Sequence, residues 1–121
     1  MKHIEVGGSE GIAVVRLSRG TTNAINLELI HDLSDNLKVT RDDADISGLV
    51  LTSANEKFFS IGFDIPGLIN LEEGDFREFY KAFNRLCLDM YTFPKPIVAA
   101  ITGHAVAGGC ILTICCDYRF I

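Results

Sequence analysis

A glycine-rich turn followed by an apolar run is the strongest candidate for chemistry in this sequence. Residues 103–117 read GHAVAGGCILTICCD, so Gly108 and Gly109 lie directly before residues that can form a buried helix. The first N–H groups of a helix have no partner within it, and they can bind an anion or stabilise a developing negative oxygen. The pattern therefore predicts a backbone site for negative charge at Gly108.

Polar side chains near this turn, and in a second glycine-containing loop at 58–67, allow catalytic or structural roles. Asp64 and Asp117 occupy loop and turn positions, where a carboxylate commonly accepts hydrogen bonds from nearby backbone N–H groups. His104 is of the residue type most often used as a general base, but the sequence shows no partner for it. Ser60 lacks the neighbours of a covalent nucleophile. We interpret Asp64 and Asp117 as structural and do not expect covalent catalysis.

The composition indicates one folded domain with a substantial core. The chain has 121 residues, of which 48% are hydrophobic, and its mean hydropathy is +0.25, a combination that disordered chains do not show. Its 11 basic and 16 acidic residues give a net charge of −5, which argues against nucleic acid or an anionic membrane as a partner. An anionic ligand would have to be held locally, by backbone N–H groups or a few Lys and Arg side chains.

The cysteines and the N-terminus favour a reducing compartment. Cys87, Cys110, Cys115 and Cys116 form neither a CxxC motif nor a Cys/His pattern with zinc spacing, so no metal site is expected. We interpret them as small buried apolar residues. The first residues, MKHIEVGGSEG, contain no apolar signal core. This predicts a cytoplasmic protein, or one in an organelle matrix from which a targeting peptide has been removed.

The apolar stretch 97–116 has the length of a membrane-spanning helix. Glycines interrupt it at three positions, and Thr102 and His104 lie near its middle. The β-branched half before Gly103 also differs in character from the half after Gly109. A buried strand followed by a buried helix therefore explains the stretch better than a membrane span does.

The first half of the chain predicts a hairpin, a helix and a buried strand. Apolar runs at 4–6 and 12–17 flank a turn-rich segment, as in a β-hairpin. Asn26 can cap a helix that ends near Thr40. The unbroken apolar run at 48–52 is typical of a strand covered on both faces, so we expect it near the centre of a sheet.

The second half predicts a buried loop at 58–67, a long helix, and strands at 97–101 and from Tyr118 onward. Asp75 is expected to cap the long helix, with Glu78 completing a capping box. Seven residues at helical spacing predict a face packed on the core, with a wall around an acyl chain or a subunit interface as the alternative: Phe76, Phe79, Tyr80, Phe83, Cys87, Met90 and Tyr91.

Strands that alternate with helices in this order predict an α/β fold with right-handed crossovers. The last predicted strand begins near Tyr118 and is expected to run on beyond Ile121. We therefore interpret residues 1–121 as the N-terminal part of a single domain.

Two segments together resemble the crotonase superfamily, also called the enoyl-CoA hydratase/isomerase family. They are FFSIGFDIPGL at 58–68 and KPIVAAITGHAVAGGCILTICCDYRF at 95–120, in this order and at this separation. NAINLELIHDL at 23–33 and GLVLTS at 48–53 add to the similarity. The resemblance covers nearly all of the chain but only about the first half of what a member of the family would contain.

The resemblance implies a crotonase-like spiral of ββα units, assembled into trimers or hexamers, that takes acyl-coenzyme A thioesters as substrates and has no permanently bound cofactor. It implies that the backbone N–H groups of Phe63 and Gly108 form an oxyanion hole for the thioester oxygen. It also implies a coenzyme A channel lined by Ala24, Ile25, Ser60, Ile61, Gly62, Asp64 and Ile65.

One departure from the family pattern bears on the reaction. Hydratases of this family have Gly-Cys-Glu-Leu after the glycine turn, whereas this sequence has Ile111 in place of the glutamate. Isoleucine cannot transfer a proton, which argues against hydration by two carboxylates. The segment is more similar to the Δ3,Δ2-enoyl-CoA isomerase branch, and that similarity implies a single glutamate, beyond residue 121, as the general base.

Three alternatives to isomerisation are open from the sequence. The first is another crotonase-type reaction, hydration (a lyase activity) or thioester cleavage. The second is a noncatalytic acyl-CoA-binding or oligomerisation module. The third, a nucleotide-phosphate site at 103–109, is not favoured because neither GxGxxG nor GxxxxGK(S/T) is present.

Overall fold

The computed structural model describes all 121 residues. Seven strands and four helices alternate along most of the chain, as the sequence predicts. In chain order they are β1 (Ile4–Ser9), β2 (Ile12–Leu17), α1 (Leu27–Asp42), β3 (Gly48–Ser53), β4 (Phe58–Ser60), α2 (Ile65–Leu68), α3 (Glu73–Tyr91), β5 (Ile97–Ala100), β6 (His104–Ala105), α4 (Gly108–Ile114) and β7 (Tyr118–Phe120).

The main sheet has five strands in the order β1-β2-β3-β5-β7. The β1–β2 pair is antiparallel, and all other neighbours are parallel. The predicted hairpin is confirmed, with Glu10 and Gly11 at φ values of 55° and 81° in its two-residue turn. The predicted central position of β3 is also confirmed. Its neighbours β2 and β5 are reached through connections that contain helices, as parallel pairing requires.

Asn26 caps α1 as predicted, because its side-chain oxygen accepts a hydrogen bond of 2.9 Å from the N–H of Leu29. The helix continues two residues beyond the predicted Thr40, to Asp42. At this end Lys95 Nζ donates hydrogen bonds of 2.7 Å to the carbonyl oxygens of Thr40 and Asp43. A lysine from the α3–β5 connection thus gives two carbonyl groups at the end of the helix a charged donor in addition to their backbone hydrogen bonds.

Replacing Asn26 with alanine is expected to lower the free energy of unfolding by about 1 kcal/mol, since the Leu29 N–H loses its acceptor. Urea denaturation of the full-length protein measures this. Asn26→Ser is the matched control, because serine keeps a side-chain oxygen that can accept from the Leu29 N–H. A loss in Asn26→Ser as large as that in Asn26→Ala would show that the hydrogen bond is not the cause.

The predicted capping box of α3 is wrong. A cap at Asp75 would start the helix at Phe76, but the helix begins three residues earlier, at Glu73, and the residue before it, Glu72, makes no side-chain capping bond. Asp75 therefore lies inside the first turn, where its negative charge still interacts favourably with the helix dipole. Three acidic residues, Glu72, Glu73 and Asp75, lie within four positions here, so the sequence pattern allowed more than one start for the helix.

The buried face of α3 is narrower than predicted. Phe79, Phe83 and Met90 are buried, but Phe76, Tyr80 and Tyr91 are exposed. At about 100° per residue, the exposed aromatic residues lie roughly 50–110° around the helix from the centre of the buried stripe. Spacing alone placed them on the same broad face. The alternative of an acyl-chain wall or a subunit interface stays a prediction for these exposed residues.

All four cysteines are free, three half-buried and one, Cys116, buried. The Cys116 thiol donates a hydrogen bond of 3.4 Å to the carbonyl oxygen of Leu112. Burial raises the pKa of this thiol from 9.0 to about 12, because the thiolate would lose its hydration.

This shift predicts a loss of stability at alkaline pH. Between pH 9 and about 12 the unfolded chain ionises at Cys116 while the folded chain keeps the thiol. The stabilisation is therefore complete below pH 9 and declines as pH rises towards 12. Urea denaturation across this range should give a shallower decline in Cys116→Ala than in the unmodified protein. Identical slopes would contradict the assignment.

The apolar stretch 97–116 contains β5, β6 and α4, which confirms the interpretation as strand followed by helix. None of the helices combines the length and apolar content needed to cross a bilayer. The expectation that α4 is buried is only partly met. Leu112 and Thr113 are buried, whereas Ile111 and Ile114 are exposed in this chain.

Candidate functional site

The loop after β4 leaves the N–H group of Phe63 free. Ile25 forms a parallel bridge with Phe63, in which its N–H donates to the Gly62 carbonyl at 2.8 Å and its carbonyl accepts from Asp64 N–H at 2.9 Å. A trans peptide directs its C=O and N–H groups in opposite directions. Because the Gly62 carbonyl faces Ile25, the Phe63 N–H of the same peptide points away from it. This N–H donates no hydrogen bond within the chain.

The start of α4 leaves a second N–H group free. The Ala107 carbonyl accepts a hydrogen bond of 2.9 Å from Ile111 N–H, along the helix. The Gly108 N–H, in the same peptide as that carbonyl, therefore points out of the helix and donates to no group of the chain. Ala107 has φ 50° and ψ −117°, a conformation that favours glycine. Strained residues of this kind cluster at functional sites.

Close backbone packing brings the two free N–H groups together. The short parallel strands β4 and β6 pair through Phe58 with His104 and Ser60 with Ala105. A Cβ on Gly62 would lie 2.9 Å from the Val106 carbonyl oxygen and 3.2 Å from the Gly108 nitrogen. A Cβ on Gly109 would lie only 2.2 Å from the Ser60 carbonyl oxygen. Glycine is required at both positions because two backbone segments are in direct contact there.

Packing of the Phe63 ring against α3 holds the Phe63 loop in place. Its centroid lies 4.9 Å from that of Phe79 and 4.8 Å from that of Phe83, with both pairs nearly perpendicular at 85°. A Cβ on Gly108 would lie 3.1 Å from the same ring. The Phe63 side chain is thus held between α3 and the start of α4, in edge-to-face geometry that favours aromatic pairs.

A buried polar network supports the loop after β4 from the protein interior. Asn23 lies at its centre, and the sequence analysis did not predict this role. Asn23 is fully buried at φ 51°, a conformation that asparagine tolerates better than most residues. Its Nδ2 donates to Ser53 Oγ and to the Phe59 carbonyl at 2.8 and 2.9 Å. Its own carbonyl accepts from Ser60 Oγ at 2.8 Å, and Ser60 Oγ accepts from Gly62 N–H at 3.2 Å. Asparagine in a loop suggests a turn, so the sequence carried no signal for this burial.

The residues predicted to line a coenzyme A channel fall into two groups. Ile25, Ser60 and Gly62 are buried, so the Ile25 and Ser60 side chains support the loop from inside and do not form its outer surface. A lining role stays a prediction for the accessible or half-buried members, which are Ala24, Ile61, Asp64 and Ile65.

Both aspartates have the structural role that the sequence indicated. Asp64 caps α2, where its carboxylate accepts a hydrogen bond of 3.3 Å from Gly67 N–H. It also forms an ion pair of 3.0 Å with Arg19, which was not predicted because a lone arginine in a polar loop is typical of the surface. Asp117 accepts a hydrogen bond of 2.8 Å from Ile97 N–H, which joins the start of β5 to the segment before β7.

His104 and Asp64 lie in separate clefts. His104 is exposed, its ring packs against Phe58 at 5.6 Å, and its side chain makes no hydrogen bond. It lines a cleft of about 630 Å³ with Lys57 and Glu56. A different cleft of about 490 Å³ opens between the start of α1, α2 and α3, and it contains one cation, Arg19, among the carboxylates Glu28, Asp64, Asp75 and Glu78. This excess of negative charge disfavours phosphate groups there. No cluster of His, Cys, Asp and Glu side chains could hold a metal ion.

The parallel sheet, the glycine-bearing loop after β4 and the turn before α4 define a crotonase-type α/β fold. The chain belongs to the enoyl-CoA hydratase/isomerase family, whose model matches residues 7–121.

Relatives within this family carry out more than one reaction. The chain is 34% identical over 116 residues to mitochondrial enoyl-CoA delta isomerase 1 of Mus musculus, covering 96% of the chain and 40% of that relative. It is 32% identical over 111 residues to crotonyl-CoA hydratase of Syntrophomonas wolfei, covering 91% of the chain and 43% of the relative. The crystal structure of human mitochondrial delta3-delta2-enoyl-CoA isomerase superposes with a TM-score of 0.94 at 29% identity, covering 98% of the chain and 46% of that protein. The chain therefore spans less than half the length of these relatives.

Proposed function

We propose that the protein containing this chain is an acyl-coenzyme A enzyme that moves a double bond from the 3 to the 2 position of an enoyl thioester. The thioester oxygen accepts hydrogen bonds from the N–H groups of Phe63 and Gly108. These groups stabilise the enolate charge while a proton is removed from one carbon and returned to another. The carboxylate that carries the proton comes from outside residues 1–121.

The observation that carries the proposal is the pair of free N–H groups on adjoining turns. Each belongs to a peptide whose carbonyl is already bonded, to Ile25 on one side and to Ile111 on the other. Their directions are therefore set before any ligand binds, so little reorganisation is needed as negative charge develops. The main chain supplies both donors, and the aromatic packing around Phe63 holds one of them in place.

The apolar side chain of Ile111 favours isomerisation over hydration. Ile111 lies in the first turn of α4, three residues after Gly108, and 44% of its surface is accessible in this chain. An isoleucine next to the donors can neither activate water nor return a proton, and it makes the surroundings less favourable for water. The carboxylate of Asp64, which follows Phe63, is already engaged by Arg19 and Gly67 N–H.

Hydration is the second candidate, supported by the 32% identity to a crotonyl-CoA hydratase. Incubating the full-length protein separately with a 3-enoyl-CoA and a 2-enoyl-CoA distinguishes the two reactions. An isomerase forms 2-enoyl-CoA from the first substrate and no hydroxyacyl-CoA from either. Hydroxyacyl-CoA from the second substrate would show that the Ile111 argument is wrong. Binding of coenzyme A without turnover of either substrate would instead favour a noncatalytic module.

A further inference from the structure

We infer that Arg19 is a positioning residue, whose guanidinium holds the Phe63 peptide in the orientation that the proposed oxyanion hole needs. This inference rests on the proposed function for its effect on catalysis. Its structural part, that Arg19 braces this loop, can be tested without any assumption about the reaction.

Arg19 joins the two segments that form the bridge at Phe63. Its Nη1 donates a hydrogen bond of 2.9 Å to the carbonyl oxygen of Ala24, the residue before Ile25. Its Nη2 donates a hydrogen bond of 3.0 Å to Asp64 Oδ2, on the residue after Phe63. One rigid, planar group therefore contacts both chain segments, in a geometry that the single nitrogen of lysine cannot reproduce.

Apart from Arg19, the bridge is held by the packing of the Phe63 ring and by two main-chain hydrogen bonds, from Ile25 N–H to the Gly62 carbonyl and from Asp64 N–H to the Ile25 carbonyl. Gly62 has φ 101°, and glycine at such a position gives the loop freedom to rotate. If the Gly62–Phe63 peptide rotates, the Phe63 N–H no longer points away from Ile25. The Arg19 contacts tie Asp64, which follows this peptide, to Ala24 on the partner segment, and so oppose its rotation.

Charge in the cleft favours this role over direct binding of phosphate. Arg19 shares the cleft with Glu28, Asp75 and Glu78, but only Asp64 lies within ion-pair distance of it. The side chains of Arg19 and Asp64 are 25% and 21% exposed, so the pair is partly shielded from solvent. The guanidinium is thus already committed to two acceptors and surrounded by negative charge, which is unfavourable for an anionic ligand.

The test compares Arg19→Lys and Arg19→Gln with Arg85→Gln in the full-length protein. Arg85 forms an ion pair of the same length, 3.0 Å, with Asp89 on the exposed side of α3, so it controls for loss of an arginine and a salt bridge. Two measurements are made on each variant. The first is amide hydrogen exchange at Ile25 and Asp64, and the second is the kcat and KM for turnover of 3-enoyl-CoA, together with the Kd for free coenzyme A.

Both Arg19 variants should show faster exchange at these two amides and a kcat lower by about 10- to 100-fold, as expected when a reacting group is misplaced by a fraction of an ångström. KM and the Kd for coenzyme A should stay within about twofold, because a positioning residue acts on the transition state and not on ground-state binding. Arg85→Gln should resemble the unmodified protein in every measurement.

Several results would overturn the inference. Unchanged exchange at Ile25 and Asp64 in Arg19→Gln would show that Arg19 does not brace the bridge. Faster exchange with unchanged kcat would show that the bracing has no catalytic effect. Full activity in Arg19→Lys would show that a positive charge alone suffices for activity and that the planar group is not needed. A loss in Arg19→Gln confined to coenzyme A affinity would make Arg19 a ligand-binding residue. An unmodified protein that turns over no enoyl-CoA would refute the proposed function, while the exchange measurement would still decide whether Arg19 holds the loop.

Discussion

Replacing Gly62 with alanine is expected to lower kcat for the proposed isomerisation by about 10²–10³-fold, the effect of losing one oxyanion donor. Gly62 has φ 101°, and a Cβ there would lie 2.9 Å from the Val106 carbonyl oxygen and 3.2 Å from the Gly108 nitrogen. The added methyl group must push the two turns apart, which moves the N–H groups of Phe63 and Gly108 away from a common oxygen. KM should change less than kcat, because the interaction strengthens as the enolate forms.

Gly7→Ala is the matched control for Gly62→Ala. Gly7 lies in β1, and a Cβ there would meet no atom within 4 Å. This variant should retain the activity of the unmodified protein. Alanine at positive φ also costs roughly 1–2 kcal/mol, so rates must be compared well below the melting temperature of Gly62→Ala. A folded Gly62→Ala variant with unchanged kcat would refute the assignment of Phe63 and Gly108 as paired donors.

Replacing Phe79 with alanine is expected to lower the free energy of unfolding by about 3–5 kcal/mol. Phe79 is 1% exposed, and its ring packs edge-to-face on Phe63. The substitution removes a large buried side chain and leaves a cavity between α3 and the loop that carries Phe63. Urea denaturation of the full-length protein provides the measurement. Because Phe63 also loses a packing partner, we expect kcat to fall even at temperatures where the variant stays folded.

Tyr91→Ala provides the comparison within the same helix. Tyr91 is 74% exposed, so its removal should change the free energy of unfolding by no more than about 0.5 kcal/mol. Equal losses in the two variants would mean that helix propensity, and not burial, dominates. A Phe79→Ala variant with undiminished stability would show that the core beneath the Phe63 loop repacks without cost.

Part of the candidate site could be predicted because its donors are backbone groups beside glycines. Gly62, Gly108 and Gly109 can be read directly from the sequence, and glycine is among the residues preferred at the start of a helix. The residues that hold the donors could not be predicted in the same way. Arg19 and Asn23 lie in a polar loop whose composition is typical of the surface, yet Asn23 is fully buried and Arg19 spans two segments.

Local sequence features predict the order of the main elements, the hairpin, the cap of α1 and the central position of β3. These features depend on local periodicity, turn residues and unbroken apolar runs. Such signals lie within a few neighbouring residues of the sequence. The same local rules failed at α3, where adjacent acidic residues offered several starts and helical spacing did not define how wide the buried face is.

The meeting of the two turns, in contrast, depends on contacts between segments that are distant in the sequence. The N–H groups of Phe63 and Gly108 become neighbours because β4 pairs with β6, and because Gly62 and Gly109 allow direct backbone contact. Their directions follow from carbonyl partners in other segments, at Ile25 and Ile111. Pairing between distant segments depends on close packing in three dimensions, which residue types along the chain do not specify. The glycines were therefore predictable from the sequence, whereas the geometry that would make them a site was not.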